Sequence, residues 1–383
     1  MLLHFRRLAF KEILNSFKVG KNMKILFLAG ADSIHSVKWI SAASEYAKVS
    51  WFSLASPSAE LPANIQCYQL RKNKGFNIIL NIIKLRRFVK KLNPDILHVH
   101  YLGHYAFLTL FLPLNGIKLI GTAWGSDINE GKLSMLRRLV LCRFIKKARL
   151  LTTDARYMVQ ELDSLWPCQD KIKIVNFGID TAKFQRKRGE TFYYKKWNLG
   201  KDKVILSTRN FESVYDVSTV INAYHMVAKV RSDTRLILLG RGSLFDDLKK
   251  QVKKLKLESS VIFTGFVPNN DLPEIYSLAT VYVSSALSDA GIAASTAEAM
   301  ACETVPVITD VAENSSWVEH EKNGFLFKAS DTQGLADLLI NILSSERDFD
   351  EIRKKSRETI IEKNDYTNEM KKMMNEYKLL MRT

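Results

Sequence analysis

From Met23 onward the chain alternates short apolar runs with longer amphipathic ones, and it does so twice. "KILFLAG", "VSWFSLA", "PDILHVH", "IKLIGTAWG", "ARLLTTD" and "KIKIVNFGID" read as buried strands, with helical stretches such as "SIHSVKWISAASEYA" and the basic "GFNIILNIIKLRRFVKKL" between them. Strands spaced by helices argue for a parallel sheet with right-handed crossovers. "AKFQRKRGETFYYKKWNLGKDK", from Ala182, has no strong period and reads as the connection between two domains. After it the alternation starts afresh with "VILSTRN", "TRLILLGRG", "VIFTGFV", "ATVYVSSA" and "TVPVITD", separated by helices over residues 217–230 and 244–255. The expected fold class is α/β: two doubly wound, Rossmann-like parallel-sheet domains over residues 23–185 and 186–360, preceded by an extension over 1–22 and followed by a terminal helix over 361–383. A single larger α/β domain is the alternative, which the length of 383 residues and the restart of the pattern disfavour. Such sheets bind ligands beyond the carboxyl ends of their strands, and two units facing each other make a central cleft.

Composition bounds the chemistry. The chain is 46% apolar and 25% charged, an ordinary globular balance. Cys67, Cys142, Cys168 and Cys302 are far apart and form no CxxC or Cys/His pair, so neither a zinc site nor a disulfide framework is expected, and a reducing cytoplasm fits. No cofactor and no metal site is expected. The longest apolar run, "AFLTLFLPLNGIKLIG", is broken by Pro113, Asn115 and Lys118 before it could span a bilayer.

The net charge of +17 is unevenly spread: residues 1–185 hold 28 Lys+Arg against 12 Asp+Glu, and residues 186–383 hold 29 against 28. An anionic partner therefore belongs to the first half, where "KLRRFVKK" and "RRLVLCRFIKKAR" suit an anionic membrane surface or an acceptor carried on a lipid pyrophosphate or lipopolysaccharide. A solvated basic face is the plain alternative. Nucleic acid is not expected, because no zinc finger or RNP-type aromatic motif stands beside the basic residues. Residues 1–22, with Leu2, Phe5, Leu8 and Phe10 among Arg6, Arg7 and Lys11, read either as a basic amphipathic helix on anionic lipid or as sequence upstream of a true start at Met23.

The segment "SDAGIAASTAEAMACETVPVITD" carries the functional signal. Small residues open a helix after a strand, and backbone N–H groups at a helix start lack internal partners and attract phosphate. Gly291, Ala293 and Ala294 let that backbone approach an anion, and Glu298, one turn inside, is placed to accept from vicinal hydroxyls such as those of ribose. Arg209 follows the strand "VILST" directly, where a guanidinium can grip a diphosphate. Phosphate and ribose together imply a nucleotide.

With these residues the chain resembles the family 4 retaining glycosyltransferases of the GT-B fold. "EKNGFLF" and the earlier blocks "MKILFLAGADSIHSVKW", "PDILHVHY", "GTAWGSD", "KIKIVNFGIDTAKF", "VILSTRN", "LILLGRG" and "VIFTGFV" agree in order, from Met23 to about Lys328. The resemblance implies a hexosyltransferase that moves a sugar from a UDP- or GDP-sugar to a glycan or lipid-linked acceptor in cell-surface polysaccharide synthesis, such as O-antigen or capsule. It implies retention and fits a tail that crosses back over the first domain; no metal is expected, and the basic first half suits a cytoplasmic place at the inner face of the plasma membrane. It implies that Glu298 holds the ribose and Arg209 the diphosphate, that the backbone of Gly291, Ile292, Ala293, Ala294 and Ser295 faces sugar and phosphates, that Gly240 lets the donor pass, and that the backbone around Phe266 meets the base. Gly30 would line the cleft floor, and Asp127 in "TAWGSD", with His100 at a strand end, would reach the reacting sugar. His98 reads as structural, and Trp124 as packing.

Three positions depart from the family's pattern. Where the family has a second glutamate eight residues before Glu298, Ala290 stands, with Asp289 beside it. Where a lysine follows the diphosphate arginine, this chain has Val214 and Tyr215, and where many members show histidine it has Trp124. Two readings follow. Asp289 supplies the sugar contact and another cation such as Arg241 the charge, or the chain is a non-catalytic subunit that binds a nucleotide or a partner enzyme.

Overall fold

The computed structural model describes residues 23–382 apart from 58–60, 62–64, 72–74, 130–133, 190, 290 and 346–348; the extension expected over residues 1–22 lies outside the described residues. The chain divides into two compact units, Met1–Phe177 with Met370–Thr383, and Gly178–Glu369.

In the first unit seven parallel strands form one sheet: β1 (Lys24–Leu28), β2 (Lys48–Ser53), β3 (Gln66–Gln69), β4 (Ile96–His100), β5 (Lys118–Thr122), β6 (Leu150–Thr153) and β7 (Ile172–Ile174), in the order β3-β2-β1-β4-β5-β6-β7. The helices are α1 (Ile34–Ser44) after β1, α2 (Phe76–Leu92) after β3, α3 (His104–Thr109) after β4, α4 (Ser126–Asn129) and α5 (Met135–Lys147) after β5, and α6 (Arg156–Leu165) after β6. Right-handed crossovers put α2, α3, α5 and α6 on one face, because their connections all step in the same direction along the sheet, and α1 on the other. Central strands covered on both faces read as continuous apolar runs, and successive side chains of "KILFL" serve opposite cores. Leu26 and Leu28 join Leu97, Val99, Leu85 and Phe144 in the core beneath α2, α3, α5 and α6. α1 starts at Ser33, whose hydroxyl accepts from the N–H of Ser36. α2 stops at Asn93, which turns left-handed (φ 45) and donates its N–H to Val89.

The second unit repeats the plan with six strands, β8 (Lys203–Ser207), β9 (Thr234–Leu238), β10 (Val261–Phe263), β11 (Val281–Ser284), β12 (Val305–Thr309) and β13 (Phe325–Phe327), all parallel in the order β10-β9-β8-β11-β12-β13. Its helices are α7 (Phe192–Lys196), α8 (Val217–Val230), α9 (Phe245–Lys254), α10 (Leu272–Leu278), α11 (Ala294–Ala301), α12 (Asn314–Trp317), α13 (Thr332–Ser344) and α14 (Asp350–Asn364). α8, α9 and α13 close the main core over Ile205, Leu236, Val283 and Val307. α11 packs between α10 and α14.

Two boundaries differ from those expected. The passage between units falls at Phe177/Gly178, and the stretch from Ala182 that reads as a linker belongs to the second unit. Phe184 and Tyr193 are buried there, and the Tyr193 hydroxyl and N–H donate to Asp271 (2.8 Å) and Glu274 (2.7 Å). Isolated aromatic anchors leave no period to read. The boundary expected at residue 360/361 lies inside α14; the return to the first unit comes at Met370, within α15 (Tyr366–Arg382). Gly178 adopts φ +75 with Tyr366 backbone where its Cβ would be, and its N–H donates to Asn364 Oδ1 at 3.0 Å.

Strand order reverses between β1 and β4 in the first unit and between β8 and β11 in the second. Each reversal opens a crevice at the strands' carboxyl ends, the place where such sheets take ligands.

Candidate functional site

At the second unit's reversal, Arg209 follows β8 and the segment from Ser285 to Ala293 follows β11 before α11 begins. The N-cap of α11 is Ala293, which offers no side-chain acceptor, so the first-turn N–H groups keep their field. Gly291 and Ile292 are buried, and Ala293, Ala294 and Ser295 are partly exposed.

Arg209 is 7% exposed and is held by three neighbours. Its Nη2 donates to Asp289 Oδ1 at 2.6 Å, its Nη1 to Ser295 Oγ at 3.4 Å, and its Cζ lies 4.2 Å from the Tyr215 ring centre. Nε has no hydrogen-bond partner among the described residues. Tyr282 donates its hydroxyl proton to Ser295 Oγ at 2.8 Å, fixing that side chain from β11. Burial pushes the Asp289 carboxyl above its ordinary range, and the guanidinium pulls it back only in part. Asp289, expected as an independent sugar contact, is thus the counter-ion of Arg209: in a site this dry, the nearest charge claims the carboxylate.

Glu298 lies one turn into α11 and accepts from the Tyr276 hydroxyl at 3.0 Å, which in turn stands 3.1 Å from Thr208 Oγ1 at the end of β8. Gly240, after β9, is required by Arg209 itself, because a Cβ there would collide with the Arg209 carbonyl and the Phe211 ring. Phe266 stands beyond the edge strand β10, its side chain 89% exposed and β9 between it and β8. Arg241 is exposed, and its carbonyl accepts from the N–H of Phe211. The structure therefore brings together Arg209, Asp289, Ser295, Glu298 and Gly240, puts the ring of Tyr215, which stands where the family's lysine would, against the guanidinium, and adds Tyr276 and Tyr282, which the sequence does not single out. Only the alternation in "TVYVSS" hints that Tyr282 points away from Val281 and Val283; "PEIYSLA" gives no sign of where Tyr276 faces.

The first unit's reversal holds different chemistry. Gly30 follows β1, and a Cβ there would meet only the rotatable Asp32 carboxylate, at 2.6 Å. His98 is structural as expected from its place in a strand: Nδ1 lies 2.6 Å from the Tyr377 hydroxyl and Nε2 2.7 Å from Thr122 Oγ1. His100 is fully buried, packs edge-on to Trp39 (5.2 Å) and Trp124 (5.8 Å), and has no hydrogen-bond partner at either ring nitrogen among the described residues. Burial lowers it to about 3 and His35 to about 4, so both imidazoles are neutral near pH 7. His100, expected to reach a reacting sugar, is sealed by indoles. Asp127 is also fully buried, and its oxygens accept from the N–H groups of Leu102 (2.6 Å) and Trp124 (3.0 Å). Burial raises it to about 6, opposed by those bonds. The carboxylate expected to face substrate pins the "TAWGSD" loop to the segment after β4, since unpaired buried N–H groups nearby outbid a distant ligand.

Comparison with known proteins agrees with this architecture. Residues 190–363 match the family described as glycosyl transferases group 1, and residues 24–155 match glycosyl transferase 4-like. The chain is 27% identical over 287 residues to N-acetyl-alpha-D-glucosaminyl L-malate synthase of Bacillus anthracis, covering 73% of each chain. It is 24% identical over 231 residues to alpha-monoglucosyldiacylglycerol synthase of Streptococcus pneumoniae, covering 56% of this chain and 51% of that protein. Among solved structures, Anabaena HepE in complex with UDP superposes with a TM-score of 0.78 at 15% identity, over 93% of this chain and all of that one. This chain's two Rossmann-like parallel-sheet units have the GT-B fold of such solved neighbours.

Proposed function

We propose that this chain, a glycosyl transferase 4-like domain joined to a glycosyl transferases group 1 domain, transfers a hexose from a UDP- or GDP-sugar to a lipid-linked acceptor in cell-surface polysaccharide synthesis, with retention and without a metal. The observation that carries the reading is the convergence of Arg209, Ser295 and the uncapped start of α11 at the β8/β11 reversal. A diphosphate seated there meets a guanidinium and backbone N–H groups. Glu298, steadied by Tyr276, accepts from the ribose hydroxyls.

In the transfer step the bond from the anomeric carbon to the diphosphate oxygen breaks, and its electron pair leaves with the phosphate. Arg209 and the α11 N–H groups stabilise that developing charge as fixed dipoles and charge, without reorganisation. The acceptor oxygen bonds to the anomeric carbon from the same side, and its proton passes to the departing phosphate oxygen. The name of the pneumococcal relative supports a lipid acceptor, and the basic first unit supports delivery at an anionic membrane surface on the cytoplasmic side.

The Arg209–Asp289 pair favours a second reading, a non-catalytic subunit that binds nucleotide, because half of the cationic equipment is already neutralised. A panel of radiolabelled UDP- and GDP-sugars with membrane extract separates the two. Transfer by the wild type that falls at least ~100-fold in Glu298→Ala supports the enzyme. Nucleotide binding without transfer supports the subunit, and neither binding nor transfer removes both.

A further inference from the structure

The segment that follows Arg209 is stitched to the one that precedes α11. Ser285 is fully buried, and its hydroxyl lies 2.9 Å from the carbonyl oxygens of both Tyr215 and Asp216, donating between them. The N–H of Leu287 donates to the Val214 carbonyl at 2.8 Å. Asp216 turns left-handed (φ 42) to leave the single helical turn Ser213–Tyr215 and begin α8. These ties hold the Tyr215 ring over one face of the Arg209 guanidinium, where an aromatic face steadies the cation and adds no charge of its own.

The formal charges around the crevice cancel. Arg209 is matched by Asp289, and Lys183, whose ammonium donates to Asn269 Oδ1, stands within the field of Glu298. That balance bears on the two forms of the nucleotide. On transfer, the oxygen that joined sugar to diphosphate becomes a terminal phosphate oxygen. A terminal phosphate has a second pKa near ~6, so at neutral pH the product carries more negative charge than the sugar nucleotide. A site with surplus positive charge therefore holds the product over the donor, because a unit charge at contact distance in a partly buried site changes affinity by orders of magnitude. A site whose charges cancel gains little from the extra one.

We propose that Tyr215, a positioning residue acting through Arg209, and Asp289, its counter-ion, keep the donor crevice electrically neutral, so that it releases the spent nucleoside diphosphate as readily as it takes the sugar nucleotide. The inference rests on the transfer reading above and deepens it. Product release limits the turnover of many enzymes, and here the charge balance removes that brake.

Calorimetry of the full chain with UDP against UDP-glucose, and with GDP against GDP-mannose, tests the assignment in whichever pair binds more tightly. The wild type is expected to hold the diphosphate within about fivefold of the sugar nucleotide, and a larger preference for the diphosphate overturns the proposal. Tyr215→Lys brings a second cation to the phosphates and should widen that preference by at least ~10-fold, an effect that shrinks in high salt. Tyr215→Phe keeps the ring over the guanidinium and should keep the wild-type ratio. An unchanged ratio in a Tyr215→Lys protein that melts like the wild type overturns the proposal. If that variant melts early, Asp289→Asn decides: the preference should widen by about 3–10-fold through tighter diphosphate binding. An unchanged preference there, or one widened only by weaker binding of the sugar nucleotide, overturns the proposal as well. Failure of every nucleotide to bind the wild type removes the transfer reading and this inference with it, whereas binding with a strong preference for the diphosphate removes this inference alone.

Discussion

The two strand-order reversals are the same topological device furnished in opposite ways. At β8/β11 a buried guanidinium, two carboxylates and two tyrosine hydroxyls are linked by hydrogen bonds around an uncapped helix start, with the Tyr215 ring against the guanidinium. At β1/β4 the buried groups are neutral imidazoles and indoles packed edge to face, and the buried Asp127 carboxylate is given over to backbone N–H groups. The contrast teaches that topology supplies a crevice and side chains decide whether it holds charge. A charged crevice stabilises an anion that carries its own charge into the site. A neutral aromatic one is a rigid wall, and its buried nitrogens make it sensitive to protons.

The largest effect that bears on this contrast is expected at Arg209. Arg209→Ala should lower kcat/KM with the active sugar nucleotide by about 100–1,000-fold, the loss usual for one preorganised donor at a developing negative charge. Arg209→Lys should recover part of it, since a point charge replaces the fork without its geometry. Steady-state transfer assays read both. A loss under tenfold in the alanine variant would mean that the second unit's charge is structural.

Acid should act on the first unit and spare the second. His35 and His100 have folded-state values of about 4 and about 3, below the ordinary 6.5, because burial penalises the charged ring. Their stabilising contribution is complete above pH 6.5 and is lost as pH falls toward those values; between pH 6.5 and 5 each should lose about 2 kcal/mol. Asp127 runs the other way. Its value is raised to about 6 from 3.8, so its contribution is full below 3.8 and is lost as pH rises through 6; at pH 5 it returns about 1 kcal/mol. Hydrogen exchange at pH 7 and pH 5, corrected for intrinsic rates, should show β4 and β5 losing protection before β8 and β11. Equal loss in the two sheets would sink the distinction.

How much of this was legible beforehand follows from what each signal encodes. Two parallel sheets could be read from alternation because central strands, covered on both faces, are unbroken apolar runs. β3, "QCYQ", escaped, since a half-exposed edge strand leaves no apolar run. Arg209, Gly240 and Glu298 were readable because a strand end, a glycine and a helix start each leave a mark in one dimension. The pairing of Arg209 with Asp289 was not, because 80 residues separate them and only the reversal of strand order brings β8 beside β11. Asp127 misled for a related reason: an acidic residue opening a short helix looks the same in sequence whether it faces a ligand or its own loop.

Asp289→Asn tests the counter-ion directly and should have an intermediate effect. Removing the carboxylate charge leaves Arg209 uncompensated until a phosphate arrives, so calorimetry should find UDP bound about 3–10-fold more tightly, while the free protein loses about 1–3 kcal/mol of stability. Weaker binding of UDP-sugar with unchanged binding of UDP would instead make Asp289 a contact to the sugar, which is how its position beside Ala290 reads in sequence.

The smallest expected effects come from a pair of glycines, one at each crevice. Gly240→Ala drives a methyl group into the Arg209 carbonyl and the Phe211 ring, neither of which can rotate away, so the backbone that aims the guanidinium has to move. A cost of about 1–3 kcal/mol is expected, with UDP affinity falling alongside it. Gly30→Ala meets only the Asp32 carboxylate, the end of a rotatable side chain, and its φ does not demand glycine. A change within about 0.5 kcal/mol and no change in UDP affinity should follow. Thermal melts and calorimetry on both variants compare the crevices at the scale of one carbon atom. If Gly30→Ala proves the costlier of the two, the first unit's crevice is the more tightly specified backbone, and its neutral wall is held as strictly as the second unit's charge.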